Sequence, residues 1–103
     1  MSAVDEARRE WASARRAAQA VLREPGDLPE RERQLLRVGV QPQIEGALAN
    51  LDDGHAPSRL VSWNAFVPDA IASLAGPAGL DPGLESAREH MRRGLAALED
   101  ADR

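Results

Sequence analysis

Residues 58–75, SRLVSWNAFVPDAIASLA, constrain this chain more than any other stretch. They form its most apolar segment and carry one of its two tryptophans and its only phenylalanine. Wound as a helix, Leu60, Trp63, Val67, Ala70, Ile71 and Leu74 share one broad face. Val61, Ala65, Phe66 and Ala72 widen that face, leaving Ser62, Asp69 and Ser73 as a narrow polar strip. A helix apolar nearly all round belongs in the interior, with amphipathic helices packed about it. The segment is therefore expected to be the central post of a small bundle, with Ser58 as its N-cap. Pro68 lies within it, yet the apolar phase continues across the proline, which predicts one kinked helix rather than two.

Asn64 projects from the same face. A buried amide has to be hydrogen-bonded, and the carbonyls released by Pro68 are the expected partners. The alternative is a polar anchor in a ligand pocket at the kink, with Trp63, Asn64, Val67 and His90 as candidate lining.

The remaining helices follow from their punctuation. Ser2 and Asp5 match a capping box, and a first helix runs from about residue 2 to 24, ended by Pro25-Gly26. Its apolar positions Val4, Ala7, Trp11, Ala14, Ala18 and Val21 recur at alternating steps of three and four, a strict heptad seam. The seam is expected to pack on the core, with flanking arginines pairing along the helix to Glu6 and Glu10. Its strict period and the single large Trp11 also make Val4, Arg8, Trp11, Arg15 and Ala18 a candidate surface for a protein partner or self-association. Gly26 or Asp27 can cap a second helix over 29–40 that carries Leu35, Leu36, Val38 and Val40. Gly39 and Pro42 interrupt, and a third helix over 42–53 continues with Ile44, Ala47, Leu48 and Leu51. Proline cannot donate to the carbonyl of Val38, so two helices with a tight joint at 39–42 are expected.

Gly76-Pro77-Ala78-Gly79 is the clearest linker, and Asp81-Pro82 reads as N-cap and N1 of a last helix over 82–99. Leu84, Ala87, Met91, Leu95 and Leu98 form its stripe, and Gly94 permits a close approach to a neighbour. Glu85–Arg88, Glu89–Arg92 and Glu89–Arg93 are spaced as ion pairs on its outer face. The fold expected is an all-α, compact bundle of four to five helices forming a single domain over 1–103, a length able to bury one core.

Residues 33–51 resemble a helix-turn-helix DNA reader, with GVQPQIEGALAN as its turn and second helix. That resemblance implies a small DNA-binding regulator. The second helix, however, offers Gln43, Glu45, Gly46 and Asn50 and no basic residue for phosphates. The net charge of −4 points the same way, so nucleic acid is not the expected partner. Lysine is absent, and the arginine and alanine abundance resembles the bias of a GC-rich, bacterial-like coding sequence.

Chemistry-bearing motifs are sparse. Cysteine and tyrosine are absent, and the two histidines, His55 and His90, stand in unrelated contexts. Asp52-Asp53-Gly54-His55 is expected to be a helix end with Gly54 in the left-handed cap, not a metal loop. No phosphate loop, nucleophile elbow or Glu-x-x-His pair occurs. The reading therefore names no catalytic, metal or cofactor residue and leans away from an enzyme. A charged N-terminus and short apolar runs predict neither a signal peptide nor a membrane span, so a cytoplasmic protein is expected. The function expected is a non-catalytic helical interaction protein, an accessory subunit or regulator that also forms a homodimer.

Overall fold

A computed structural model describes residues 2–24 and 28–101 of the chain. Six α-helices lie among these residues: α1 (Ala3–Arg23), α2 (Glu30–Leu35), α3 (Gln41–Asp52), α4 (Pro57–Asn64), α5 (Val67–Ala72) and α6 (Pro82–Ala101). A π-turn, Leu36–Val40, joins α2 to α3 without leaving helical conformation. The architecture is the expected all-α bundle. The expected cap at Gly26 or Asp27 lies outside the described residues.

The two long helices form the spine. In α1 the Ser2 hydroxyl accepts from the Asp5 amide at 3.1 Å, the capping box read from sequence. Hydrogen bonds from Ser2 and then from Arg8 hold the Asp5 carboxyl below its usual range. At the head of α6, Asp81 Oδ1 accepts from the Gly83 amide at 2.8 Å. Trp11 meets Gly94, Val21 meets Gly83, and Glu10 meets His90, so α1 and α6 run antiparallel. Ala7, Trp11, Ala14, Ala18 and Val21 are buried along the heptad seam, facing Leu84, Ala87, Met91, Leu95 and Leu98.

The glycines decide how closely the two helices lie. A Cβ placed on Gly94 would sit 2.5 Å from Trp11 Cδ1, 2.7 Å from Trp11 Nε1 and 3.3 Å from the Ala7 carbonyl oxygen. No other residue type leaves room for the indole there. Trp11 is fully buried by its own chain, and its Nε1 has no hydrogen-bond partner among the described residues. At the other end a Cβ on Gly83 would meet the Val21 methyl at 2.5 Å.

The second layer is built on this pair. Arg8 Nε lies 2.7 Å from Asp52 Oδ1, and Arg8 Nη2 donates to the Leu51 carbonyl at 3.2 Å. Arg15 reaches Glu45 at 3.4 Å. These links lay α3 antiparallel to α1. Along α1 itself Arg8 pairs with Asp5 at 2.8 Å rather than with Glu6 or Glu10, and Glu10 is taken by His90. Helices α4 and α5 pack on α6, and Leu60, Val67, Ile71 and Leu74 enter the same core as Ile44, Leu48 and Leu51.

Three sequence expectations give way to the observed fold. The post over 58–75 is two short helices, broken at Ala65-Phe66 rather than merely kinked, and it lies on the spine rather than at its centre. Its N-cap is Ala56, with Pro57 opening the helix in place of a Ser58 cap. Residues 30–52 form one unbroken helical rod in place of two helices with a joint at 39–42. A proline ring collides with the carbonyl four residues earlier. The wide turn ahead of Pro42, in which Gln41 N–H bonds to the Leu36 carbonyl, shifts that carbonyl without ending the helix. The extra residue also moves the apolar phase, burying Leu36 and Val40 and leaving Leu35 (44%) and Val38 (59%) exposed. The rod leaves no turn between two crossing helices such as a helix-turn-helix needs. At the chain's other end the last helix continues past residue 99 to Ala101.

The glycines of α6 and α3 give opposite expectations. Gly94→Ala drives a methyl into the buried indole and is expected to cost a net ~1–2 kcal/mol after alanine's helix preference is credited. Thermal unfolding should register this as a fall of roughly 5–10 °C. Gly46→Ala meets nothing within 4 Å, so its midpoint is expected to rise by the ~0.5–1 kcal/mol of backbone entropy.

Candidate functional site

The buried stripe of α4, α5 and the turn after them runs Leu60, Asn64, Val67, Ile71, Leu74, spaced 4, 3, 4, 3. An amide thus occupies a core position, at 1% exposure, while Trp63 beside it is 41% exposed and Phe66 is 53% exposed. This inverts the order that hydrophobicity dictates. Periodicity alone puts Trp63 on the buried face; it stands one helical step outside it.

The inverted residues border one crevice. It holds about 220 Å³ between α3 and the α4–α5 break, lined by Gln43, Gly46, Ala47, Asn50, Trp63, Asn64, Phe66 and Val67. Asn50 Nδ2 donates to Asn64 Oδ1 at 3.3 Å, a long hydrogen bond and the only polar link across the crevice among the described residues. Among those residues Asn64 Nδ2 has no partner, and neither has Gln43 Oε1. The carbonyls released by Pro68 therefore do not satisfy Asn64, contrary to the sequence expectation. A buried polar group without a partner costs about 1–3 kcal/mol. Both atoms are closed to solvent, in two residues that line the crevice.

Gly46 adds a second departure from what folding alone requires. It sits inside a regular helix with no φ constraint, and no neighbour comes within 4 Å of where a methyl on it would stand. Glycine weakens a helix interior, and here no packing contact demands it. Its bare backbone widens the crevice.

Trp63 is held from behind. The His55 ring meets it edge-on at 4.7 Å and 78°, and the Arg59 guanidinium lies 5.7 Å from its centroid. These contacts fix the indole before anything binds. His55 reaches the Asp53 carboxylate only at 4.0 Å. Gly54 takes φ +74°, the left-handed helix end read from sequence. Among the described residues no three histidine, aspartate or glutamate side chains converge as metal ligands would.

The structure brings Trp63, Asn64 and Val67 together and places His90 elsewhere. His90 Nδ1 lies 2.8 Å from Glu10 Oε2, tying α6 to α1. The partner missing from its own helix comes from 80 positions away. Of the α1 residues considered as a partner surface, Trp11 and Ala18 are buried, Arg8 and Arg15 are engaged with α3, and Val4 is half-buried against the core. Gln43, Gly46 and Asn50 are site residues that sequence reasoning does not join to Trp63 and Asn64. Their signal in the sequence is an uncharged i, i+3, i+7 face on α3.

A larger hollow of about 380 Å³ lies between Leu28-Pro29 and residues 74–82. Among the described residues, none of the unpartnered buried side-chain atoms lines it, so it offers no recognition chemistry comparable to the crevice. In the crevice itself no lining residue is titratable, and its chemistry is hydrogen bonding and apolar contact rather than proton transfer. Comparison with protein-family models, with curated proteins and with solved structures found no match for this chain.

If Asn64 serves the crevice rather than the fold, Asn64→Leu should hold or raise the unfolding free energy, within about 1 kcal/mol of the parent. Denaturant unfolding measures this. A loss above about 2 kcal/mol would assign the amide a structural role.

Proposed function

We propose that this protein is a non-catalytic interaction protein, an accessory subunit or regulator, that holds a protein partner at the α3/α4–α5 crevice face. The observation that supports this most is the inversion at positions 63, 64 and 66. Two large aromatics stand outside, an amide is buried with an unpartnered donor, and all three residues border one crevice. Aromatic residues around a polar-anchored depression are the composition of an interface hot spot.

Size favours a protein partner over a free ligand. Pockets for drug-sized molecules run from roughly 300 Å³ upward, and the crevice holds about 220 Å³. Trp63 and Phe66 would remain bare around so small a guest, whereas a protein surface covers them. A cysteine-free chain suits a reducing compartment such as the cytoplasm. A second copy of the chain is one protein able to supply the contact. The α1 seam is a poor route to it, because Trp11 and Ala18 are already covered.

A photo-crosslinking residue introduced at Phe66 is expected to trap one discrete protein adduct in the native host. The same group at exposed Arg16 on α1 should trap none of it. Light scattering of the purified chain tells a second copy from another protein. Adducts indifferent to position, or absent at Phe66, would overturn the assignment of this face.

A further inference from the structure

The outer side of α4 and α5, away from the buried stripe, presents Arg59, Ser62, Trp63, Phe66 and Asp69, all exposed. At the break Ala65 (φ −64°, ψ −24°) and Phe66 (φ −78°, ψ −18°) keep helical angles, so one strip runs across both helices. A cation stands near one end, an anion near the other, and two aromatics lie between. Arg59 is five positions before Asn64 and Asp69 is five after it, while Trp63 and Phe66 flank nearly the same centre. Resting on the interaction reading above, we infer that the partner seated on this strip is a second copy of the chain. The two copies pack antiparallel, about a two-fold axis that passes between Trp63 and Phe66.

Three observations carry the inference. First, the strip is complementary to its own reverse. A two-fold contact makes each pairing twice, and this centre sets Arg59 opposite Asp69 and Trp63 opposite Phe66. Second, both charges are unspent. Among the described residues neither Arg59 nor Asp69 joins an ion pair, whereas Arg8, Arg15, Arg33, Arg88 and Arg93 all do. Ten residues of helix hold the two about 15 Å apart, too far to pair with each other. Third, each copy carries a net charge of −4, so two copies repel at long range. The strip bears one charge of each sign and lets them meet where charge balances. With no side chain on Gly46, the crevice beside Trp63 leaves room for the ring that the second copy brings. The strip is one helix wide, less than the roughly 800 Å² per partner of a standard interface, so the dimer is a weak and reversible one.

The experiment is analytical ultracentrifugation of the full chain and of charge-reversed variants. Between about 10 µM and about 1 mM the parent is expected to pass reversibly from monomer to dimer. Arg59→Asp and Asp69→Arg each set two like-charge pairs across the axis, and each should weaken the dimer at least about tenfold. F66A removes the central ring and should weaken it by at least about as much. The double variant R59D/D69R rebuilds both pairs and should return to within about threefold of the parent. An equimolar mixture of the two single variants should do the same, as a heterodimer. Compensation within one chain is out of reach at that separation, so recovery arises only between copies. All these positions are exposed, and melting midpoints within a few degrees of the parent separate lost contact from lost folding. A parent that stays monomeric at about 1 mM, or a dimer indifferent to R59D and D69R, would overturn the self-pairing. So would a double variant as weak as the singles. A discrete adduct of another protein at position 66 would in that case still support the interaction reading, so the two fail separately.

Discussion

Everything in this molecule is hung from one contact, the Trp11 indole seated on the bare backbone of Gly94. A large side chain against no side chain fixes separation and register together, since the helices slide only by driving a methyl or a larger group into the ring. Once Trp11 and Gly94 are engaged, Val21 falls opposite Gly83 and Glu10 opposite His90. The antiparallel pair then offers α1's remaining flank to α3, where Arg8 and Arg15 find Asp52 and Glu45. Those ion pairs are partly exposed and each contributes little energy. They orient a helix that the apolar contacts of Ile44, Leu48 and Leu51 hold.

The spine was legible because its signals are local and redundant. The heptad seam, the Ser2 and Asp81 caps, and a glycine in the stripe of α6 all agree on one answer. The hydrophobic phase of residues 60, 67, 71 and 74 was equally readable. Asn64 was read on that buried face too, but Trp63 was not placed, because adjacent residues on a helix differ by about 100° and hydrophobicity ranks Trp63 inward. Only the neighbours decide otherwise: α4 packs against both α6 and α3, and Asn64 is turned to Asn50 of α3 while Trp63 is left at the surface. The π-turn was hidden for a similar reason. A proline announces that a hydrogen bond is lost, but whether the helix ends or widens depends on whether Leu36, Val40 and Ile44 reach the same core. The pairing of Glu10 with His90 spans 80 positions and leaves no trace in local spacing.

The division between the two layers bears on function. The spine carries long helices, paired caps and tight packing, and among the described residues its buried face holds no charged side chain. The second layer is short helices joined by a wide turn, a break and several prolines, with Leu35, Val38, Trp63 and Phe66 exposed. The exposed aromatics, the buried Asn64 and the uncrowded Gly46 lie in it, while in the spine the buried Trp11 Nε1 also lacks a partner among the described residues. A stable frame tolerates a few unfavourable local choices elsewhere, and such choices persist where they serve something other than folding.

Taken singly, an exposed tryptophan, a helix-interior glycine or a buried asparagine has an ordinary explanation in packing. Here the ordinary explanations fail one at a time. Gly46 relieves no contact, Asn64 makes a single long hydrogen bond, and Trp63 has His55 and Arg59 arranged around it while its outer edge is left to solvent. The three come from two helices and from positions 46 to 64, so no shared local pressure of sequence places them together. What they have in common is the crevice they line. A segment first distinguished by its hydrophobicity is better described by the one residue that breaks the pattern. Asn64 takes the place in the stripe that a leucine would fill, and its one long hydrogen bond to Asn50 leaves the amide nitrogen without a partner among the described residues.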